Sequence, residues 1–268
     1  MQVANKIIVV TGGGSGIGRA LVLKLISEGA RVAAVDLNEN SLRETVALVN
    51  QPDKLSTHIL NISDRQAVEA LPQQVIDKHG AVDGLINNAG IIQPFVRLND
   101  LAFDAIERVL NVNLYGVIYM TKAFLPHLLQ RPSAHIVNVS SMGGFFPVPG
   151  QTLYGASKAA VKLLTEGLYS ELLGTSVRVT VVFPGAVATN ITQNSGINMP
   201  ASSSTESSQN FPTTAPERAA EIIVDGMKRD QFQVYVGNDS KMMNVLYRLN
   251  PGYATRFMYD RMKALLPK

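Results

Sequence analysis

Apolar and polar positions along this 268-residue chain follow two alternating rhythms. Short β-branched runs predict strands, and between them apolar residues return every third or fourth position, as an amphipathic helix requires. Lys6–Val10 predicts a first strand and Gly16–Glu28 a first helix, and Arg31–Asp36 and Glu39–Asn50 repeat the pair. Leu55–Leu60, Val82–Asn87, His135–Val139 and Val177–Phe183 continue the strands, with helices over Asp64–His79, Phe103–Leu129 and Tyr154–Leu173. The strands read as mainly continuous apolar runs and do not strictly alternate, so both of their faces are to be covered. The expected fold class is α/β: a single-domain, Rossmann-like, doubly wound parallel sheet with helices on both faces, spanning 1–268. Such a sheet takes its ligands beyond the carboxyl ends of its strands.

Two stretches break the rhythm. Asn190–Pro216 is 27 residues long with ten Ser or Thr, including the run Ser202–Ser204, and reads as a substrate lid or a disordered loop. After a predicted strand at Gln233–Val236 comes a tail, about 237–268, whose two amphipathic stretches flank Asn250-Pro251-Gly252. Met242, Leu246 and Leu249 are expected on one helical face, and Phe257, Met258, Met262, Leu265 and Leu266 form a second stripe. Lys241, Arg248, Arg256, Arg261, Lys263 and Lys268 accompany them. Such stripes cover a substrate pocket or a neighbouring subunit, or they lie on anionic lipid as an interfacial helix.

Composition narrows the class. With 46% hydrophobic and 17% charged residues the chain suits a soluble globular protein. It contains no cysteine, which excludes disulfides, thiolate metal sites and cysteine nucleophiles and makes a reducing cytoplasm the expected setting. The apolar runs are too short to span a bilayer, and no signal-peptide pattern opens the chain. A net charge of +3, without a basic stripe interleaved with aromatics, gives no reason to expect nucleic acid. The charge is uneven: residues 241–268 carry +5 and the remainder −2.

The first strand runs into Thr11-Gly12-Gly13-Gly14-Ser15-Gly16-Ile17-Gly18, and a helix follows. Glycines there let the backbone approach a pyrophosphate, which then faces the N–H groups and positive dipole end of the helix. Asp36 ends the second strand, where a carboxylate can accept both ribose hydroxyls of an adenosine and would repel a 2′-phosphate. Leu37 and the loop offer no cation for that phosphate, so NAD(H) is favoured over NADP(H). Further on, Tyr154 and Lys158 are four residues apart and share a helix face. A neighbouring ammonium would favour the phenolate and lower the tyrosine pKa from its usual value near about 10. Ser141, at the end of a strand, could hold a substrate oxygen beside that phenol.

The glycine loop, Asn87-Asn88-Ala89-Gly90, Asn113, Ser140-Ser141, Tyr154 with Lys158, and Pro184-Gly185 stand in the order and spacing of one family. Over roughly residues 5–189 the chain resembles the single-domain branch of the short-chain dehydrogenase/reductases. The resemblance implies that Tyr154 is the general acid or base and that Lys158 binds the nicotinamide ribose and tunes Tyr154. It implies that Ser141 orients the carbonyl and that Asn113 holds a water linking Lys158 to solvent, Asn111 being a helix-surface residue. Gly12, Ser15, Ile17, Asp36, Asn88, Gly90, Pro184, Val187 and Thr189 match cofactor contacts. Where the family usually has an aspartate for the adenine amino group this chain has Asn61, followed by Ile62; the asparagine oxygen can still accept. The substrate pocket is expected from Ser141, Met142, Gly143, Phe145, Phe146, Gln151, Tyr154, Gly185 and the lid, with Phe145 and Phe146 reading equally as core. No metal is expected, and His58, His79, His127 and His135 read as surface or packing residues. The implied activity is an alcohol dehydrogenase or carbonyl reductase. A reductase of acyl-carrier thioesters and a non-catalytic nucleotide sensor are the alternatives. Small residues on the second of two family contact helices (Ala156, Ala159, Ala160, Gly167) lead to an expected homodimer or homotetramer.

Overall fold

The computed structural model describes residues 1–197, 213–263 and 266. Seven strands form one sheet: β1 (Ile7–Thr11), β2 (Arg31–Asp36), β3 (Leu55–Ile59), β4 (Gly84–Asn87), β5 (Ala134–Val139), β6 (Val177–Pro184) and β7 (Gln233–Val236). Their order is β3-β2-β1-β4-β5-β6-β7, and every neighbouring pair is parallel. The helices are α1 (Gly16–Ser27), α2 (Glu39–Leu48), α3 (Arg65–His79), α4 (Phe103–Leu110), α5 (Gly116–Leu128), α6 (Thr152–Glu171), α7 (Ile191–Asn194), α8 (Pro216–Lys228), α9 (Asn238–Leu249) and α10 (Pro251–Met262).

Alternation along the pleat fills two layers. Ile8 and Val10 of β1 point into a core with Leu21 and Leu25 of α1 and Ile223 and Met227 of α8. Ile7 and Val9 point the other way, towards Leu71 of α3, Phe124 of α5 and Leu168 of α6. Each fully buried side chain of this size contributes about 1.5–3 kcal/mol. Both faces of the sheet are therefore dry, which is why its central strands are mostly apolar and why their polar side chains His135, Asn138 and Thr180 are buried and hydrogen-bonded. A third, smaller core of Phe146, Met243, Ala254 and Met258 joins the loop after β5 to the tail helices.

The chain builds outward from β1 to β3 and then returns to place β4 on the other side of β1. At that reversal the connections diverge and a crevice opens. Its floor is clamped: Thr11 Oγ1 accepts the N–H groups of Asn88 and Ala89, both at 3.0 Å, and Asn88 Nδ2 donates to the Thr11 carbonyl at 2.9 Å.

Most element ends agree with the sequence pattern within about two residues, but three expectations change. Phe103–Leu129 is not one regular helix, because a wide π-type turn at Asn111–Tyr115 separates α4 from α5. Such turns accommodate an extra residue and recur at functional sites; this one buries Asn113 completely while Asn111 stays exposed. Within the expected lid, α7 is helical and Thr214 pairs with Val187, whereas 198–212 lie outside the described residues. In α9 the buried apolar residue is Met243, and Met242 and Leu249 are 58% and 79% exposed. The reason lies in the first turn of α9. Asp239 and Ser240 bond to the end of β6, and Met243, one turn later on that side, must face inward. Met258 is buried and Phe257 and Met262 partly so, as the second stripe requires, while Leu265 and Lys268 lie outside the described residues.

Candidate active site

The glycine loop is shaped for close approach. Gly12 has φ +69°, a left-handed conformation that disfavours a side chain, and a Cβ at Gly18 would strike the Gly12 carbonyl. Ser15 at the N-cap of α1 makes no side-chain capping bond, and no acidic residue stands in the first turn. The first-turn N–H groups and the positive end of the helix are thus available to an anion. Asp36 accepts the Gly14 N–H at 2.9 Å and the Asn38 N–H at 3.0 Å. The carboxylate expected to meet a ribose also pins the loop, and each oxygen keeps a further acceptor position.

Two features at this end depart from the sequence reading. Asn61 Oδ1 accepts both the N–H and the hydroxyl of Ser63, at 3.0 and 2.7 Å, so the acceptor expected to face adenine is engaged in its own turn. Arg19, which the loop pattern did not single out, donates to the Gly14 carbonyl and lies 2.6 Å from Glu44. This cation stiffens the loop and is already paired.

A cleft of about 1160 Å³ runs from Asp36 to Tyr154, larger than the ~300–1,000 Å³ of ordinary small-ligand sites. The residues singled out as cofactor contacts all line it: Gly12, Ser15, Ile17, Asp36, Asn61, Ile62, Asn88, Gly90, Tyr154, Lys158, Pro184, Val187 and Thr189. Ser141 and Gly185 do as well. Asn113, Met142, Gly143 and Gln151 are not among its lining residues.

At the far end, β5 and the first turns of α6 bring the reactive groups together. The Ser141 hydroxyl accepts the Gly143 N–H at 3.0 Å and stands with the Tyr154 ring on the same side of Gly143. Neighbouring Ser140 instead donates to the Lys158 carbonyl at 2.7 Å and ties β5 to α6. Lys158 Nζ donates to the Val139 carbonyl at 3.0 Å, in the space that Gly90 leaves by having no side chain. Burial pulls the Lys158 ammonium down to about 8. Burial pushes the Tyr154 phenol above its ordinary value, and the nearby Ser141 hydroxyl offsets this only in part. The expected lowering of the tyrosine by the lysine is therefore corrected: desolvation dominates both groups, and the ammonium is directed at a backbone carbonyl. Asn113 donates to the Ile91 carbonyl at 2.9 Å and to Ser157 Oγ at 3.0 Å, and it accepts the Ile91 N–H at 2.9 Å. With its side chain so committed, a relay water there would have to sit on its main-chain carbonyl.

Part of the expected substrate wall is packing. Phe146 is fully buried beneath the tail helices, and Phe145 meets Phe183 and Tyr235 edge-on, at 5.4 and 6.2 Å. Gln151 donates to the Gln93 carbonyl at 2.8 Å.

Three supports were missed because their partners are distant in sequence. Gln93 Oε1 accepts the N–H groups of Leu153 and Tyr154, at 2.7 and 3.0 Å, and caps the start of the helix that carries Tyr154. Asp239 accepts the Ala186 N–H at 2.7 Å and occupies the space that a side chain at Gly185 would need. Asn194 Nδ2 reaches Ser15 Oγ at 2.9 Å, while Ser195 Oγ accepts the Ile92 N–H at 2.9 Å, so α7 straps one lip of the cleft to the other. A buried glutamine directly after Ile91-Ile92 was the one local hint.

Known proteins share this design. The family model described as short chain dehydrogenase matches residues 6–199. The SadH protein of Mycobacterium tuberculosis, named as an oxidoreductase, is 37% identical over 256 residues, covering 91% of each chain. The 3-oxoacyl-[acyl-carrier-protein] reductase FabG of Thermotoga maritima is 38% identical over 196 residues, 72% of this chain and 78% of that one. A short-chain dehydrogenase/reductase of Burkholderia phymatum, solved in complex with NAD, superposes with a TM-score of 0.79 at 27% identity, covering 88% of this chain and 90% of its own. By sequence and fold alike, the chain belongs to the short-chain dehydrogenase/reductase family of NAD(P)-dependent oxidoreductases.

Proposed function

We propose that this protein uses NAD(H) to interconvert a secondary alcohol and a ketone, with Tyr154 as general acid and base. The observation that carries the reading is that the Ser141 hydroxyl and the Tyr154 ring stand together beside Gly143, at the opposite end of the cleft from Asp36. The uncapped start of α1 and the left-handed Gly12 suit a pyrophosphate, and Asp36 suits an unphosphorylated ribose. Bound there, the nicotinamide would supply or accept the hydride. In reduction the substrate oxygen lies between Ser141 and Tyr154, and the phenol gives it a proton as the carbonyl carbon gains the hydride. Oxidation reverses both transfers. Lys158 would meet the nicotinamide ribose, its ammonium would supply the proton that re-forms the phenol after reduction, and the strap from α7 would exclude water. Turnover with NAD(H) and with NADP(H), compared across a panel of ketones, tests the reading. NAD(H) is expected to give the higher kcat/KM, Asp36→Ala to narrow the preference about tenfold, and equal use of both by the unaltered enzyme would overturn it.

The FabG relative supports a second reading, reduction of a 3-oxoacyl thioester, which the same three groups would perform. Comparing a 3-oxoacyl thioester with simple ketones separates the two. For assembly, the outer face of α6 leaves Ala156, Ala159, Leu163 and Gly167 exposed, which suits a cytoplasmic homodimer or homotetramer. Sedimentation at micromolar concentration tests it.

A further inference from the structure

The tail helices have two different faces, and only one serves the body of the protein. Inward, Met243, Ala254 and Met258 pack on Phe146, with Leu246, Tyr247, Phe257 and Met262 around them. Outward, Met242, Val245 and Leu249 of α9 are 58%, 57% and 79% exposed, and Tyr253, in the first turn of α10, is 58% exposed. Lys241, Met242, Val245, Arg248 and Leu249 recur at helical spacing and so share one side of α9. A patch of large apolar side chains this dense is not ordinary surface.

Its charge says what covers it. Among the described residues Lys241, Arg248 and Arg256 form no salt bridge, and Arg248 donates to the neutral side chain of Asn244 at 3.2 Å. Of the two aspartates in α9 and α10, Asp239 is turned inward onto Ala186, and Asp260 is paired with Lys263. The free charge on this face is therefore positive. Two copies of it would repel each other, which disfavours a symmetric contact. Apolar residues flanked by cations, with tyrosines at the margin, have the chemistry of a helix lying in the interface of an anionic bilayer. Among the described residues no helix is long and apolar enough to cross a membrane, so contact would be peripheral.

We propose that the outer face of α9 and the start of α10 docks on anionic lipid. This goes beyond the catalytic reading and does not depend on it. The face adjoins the reaction end of the cleft, because Asp239 and Ser240 at the root of α9 hold Phe183 and Ala186.

The test is co-sedimentation of the full chain with phosphatidylcholine vesicles, with and without phosphatidylglycerol. Binding is expected only to the anionic vesicles at low salt and should vanish near 1 M salt, where the Debye length is about 3 Å. Lys241→Gln and Arg256→Gln should each lower the partition about fivefold. Val245→Asp with Leu249→Asp should abolish it, while turnover of a water-soluble ketone, thermal melting and sedimented mass stay unchanged. The lysine and arginine variants keep the test valid if the aspartates disturb folding. Failure of the intact protein to pellet, equal binding to neutral vesicles, or indifference to the substitutions would overturn the proposal. A change of mass without lipid would overturn it too, and would make this face a contact between copies.

Discussion

The two ends of the cleft are built in different ways. The nucleotide end is made from one continuous stretch: β1, the glycine loop and α1, braced by Asp36 and Arg19, with Thr11 clamped to Asn88. Its shape follows from backbone stereochemistry and a few polar bonds. The reaction end is assembled from separate pieces. Ser141 comes from the end of β5 and Tyr154 and Lys158 from α6, while Gln93, Asp239 and Ser195 arrive from elsewhere to hold them or the segments beside them. The nucleotide end is a cradle that tolerates little change of shape. At the reaction end the environment sets the chemistry, since burial moves the Tyr154 phenol and the Lys158 ammonium in opposite directions, each towards its neutral form.

The largest expected effect separates the two ends. Tyr154→Phe removes the transferable proton and keeps the ring, so turnover should fall at least about 10²-fold while nucleotide affinity is unchanged. Stopped-flow turnover beside nucleotide titration would measure both, and near-normal turnover would end the assignment of Tyr154.

Next in size is the response to pH. With the Lys158 ammonium at about 8, the charged form predominates below that value and is lost above it. The kcat/KM for ketone reduction should be level from about pH 6 to 7 and then fall about tenfold per unit as the charge is removed. The stability sign is the reverse: between about 8 and 10.5 the unfolded chain binds more protons than the folded one, so stability rises with pH. Rates that stay level to about pH 9.5 would mean that the charge on Lys158 is not needed.

Smaller again is Gly18→Ala. The added methyl meets the Gly12 carbonyl, so stability should drop by about 1–3 kcal/mol and nucleotide affinity by about tenfold, read by thermal melting and titration. The turnover of enzyme saturated with nucleotide should change little, which would sharpen the contrast between the ends.

The smallest expected effect is that of Asp239→Asn. The amide keeps the size of the carboxylate but weakens its bond to Ala186, so kcat should fall only a few-fold, about 1 kcal/mol. Nucleotide affinity should hold. A loss of affinity without a loss of kcat would place Asp239 with the cradle instead.

What the sequence by itself determined is what local stereochemistry and periodicity encode. The apolar runs fixed a parallel sheet covered on both faces, because a strand buried on both sides is apolar at most of its positions and does not alternate. The glycine loop marked the anion cradle, because closely spaced glycines between a strand and a helix leave few other uses for so open a backbone. Tyr154 and Lys158 were legible as a pair because helix geometry places residues four apart on one side. Tertiary structure decided the rest. Only packing could tell that Met243, not Met242, faces inward, since the bonds of Asp239 and Ser240 to a distant strand set the rotation of α9. Only packing could assign Phe146 to the core beneath the tail, or Gln93 to the helix that carries Tyr154. The charge state of the reaction end follows the same rule: a motif lists which ionisable groups are present, but desolvation by residues remote in the chain sets which of them stays charged.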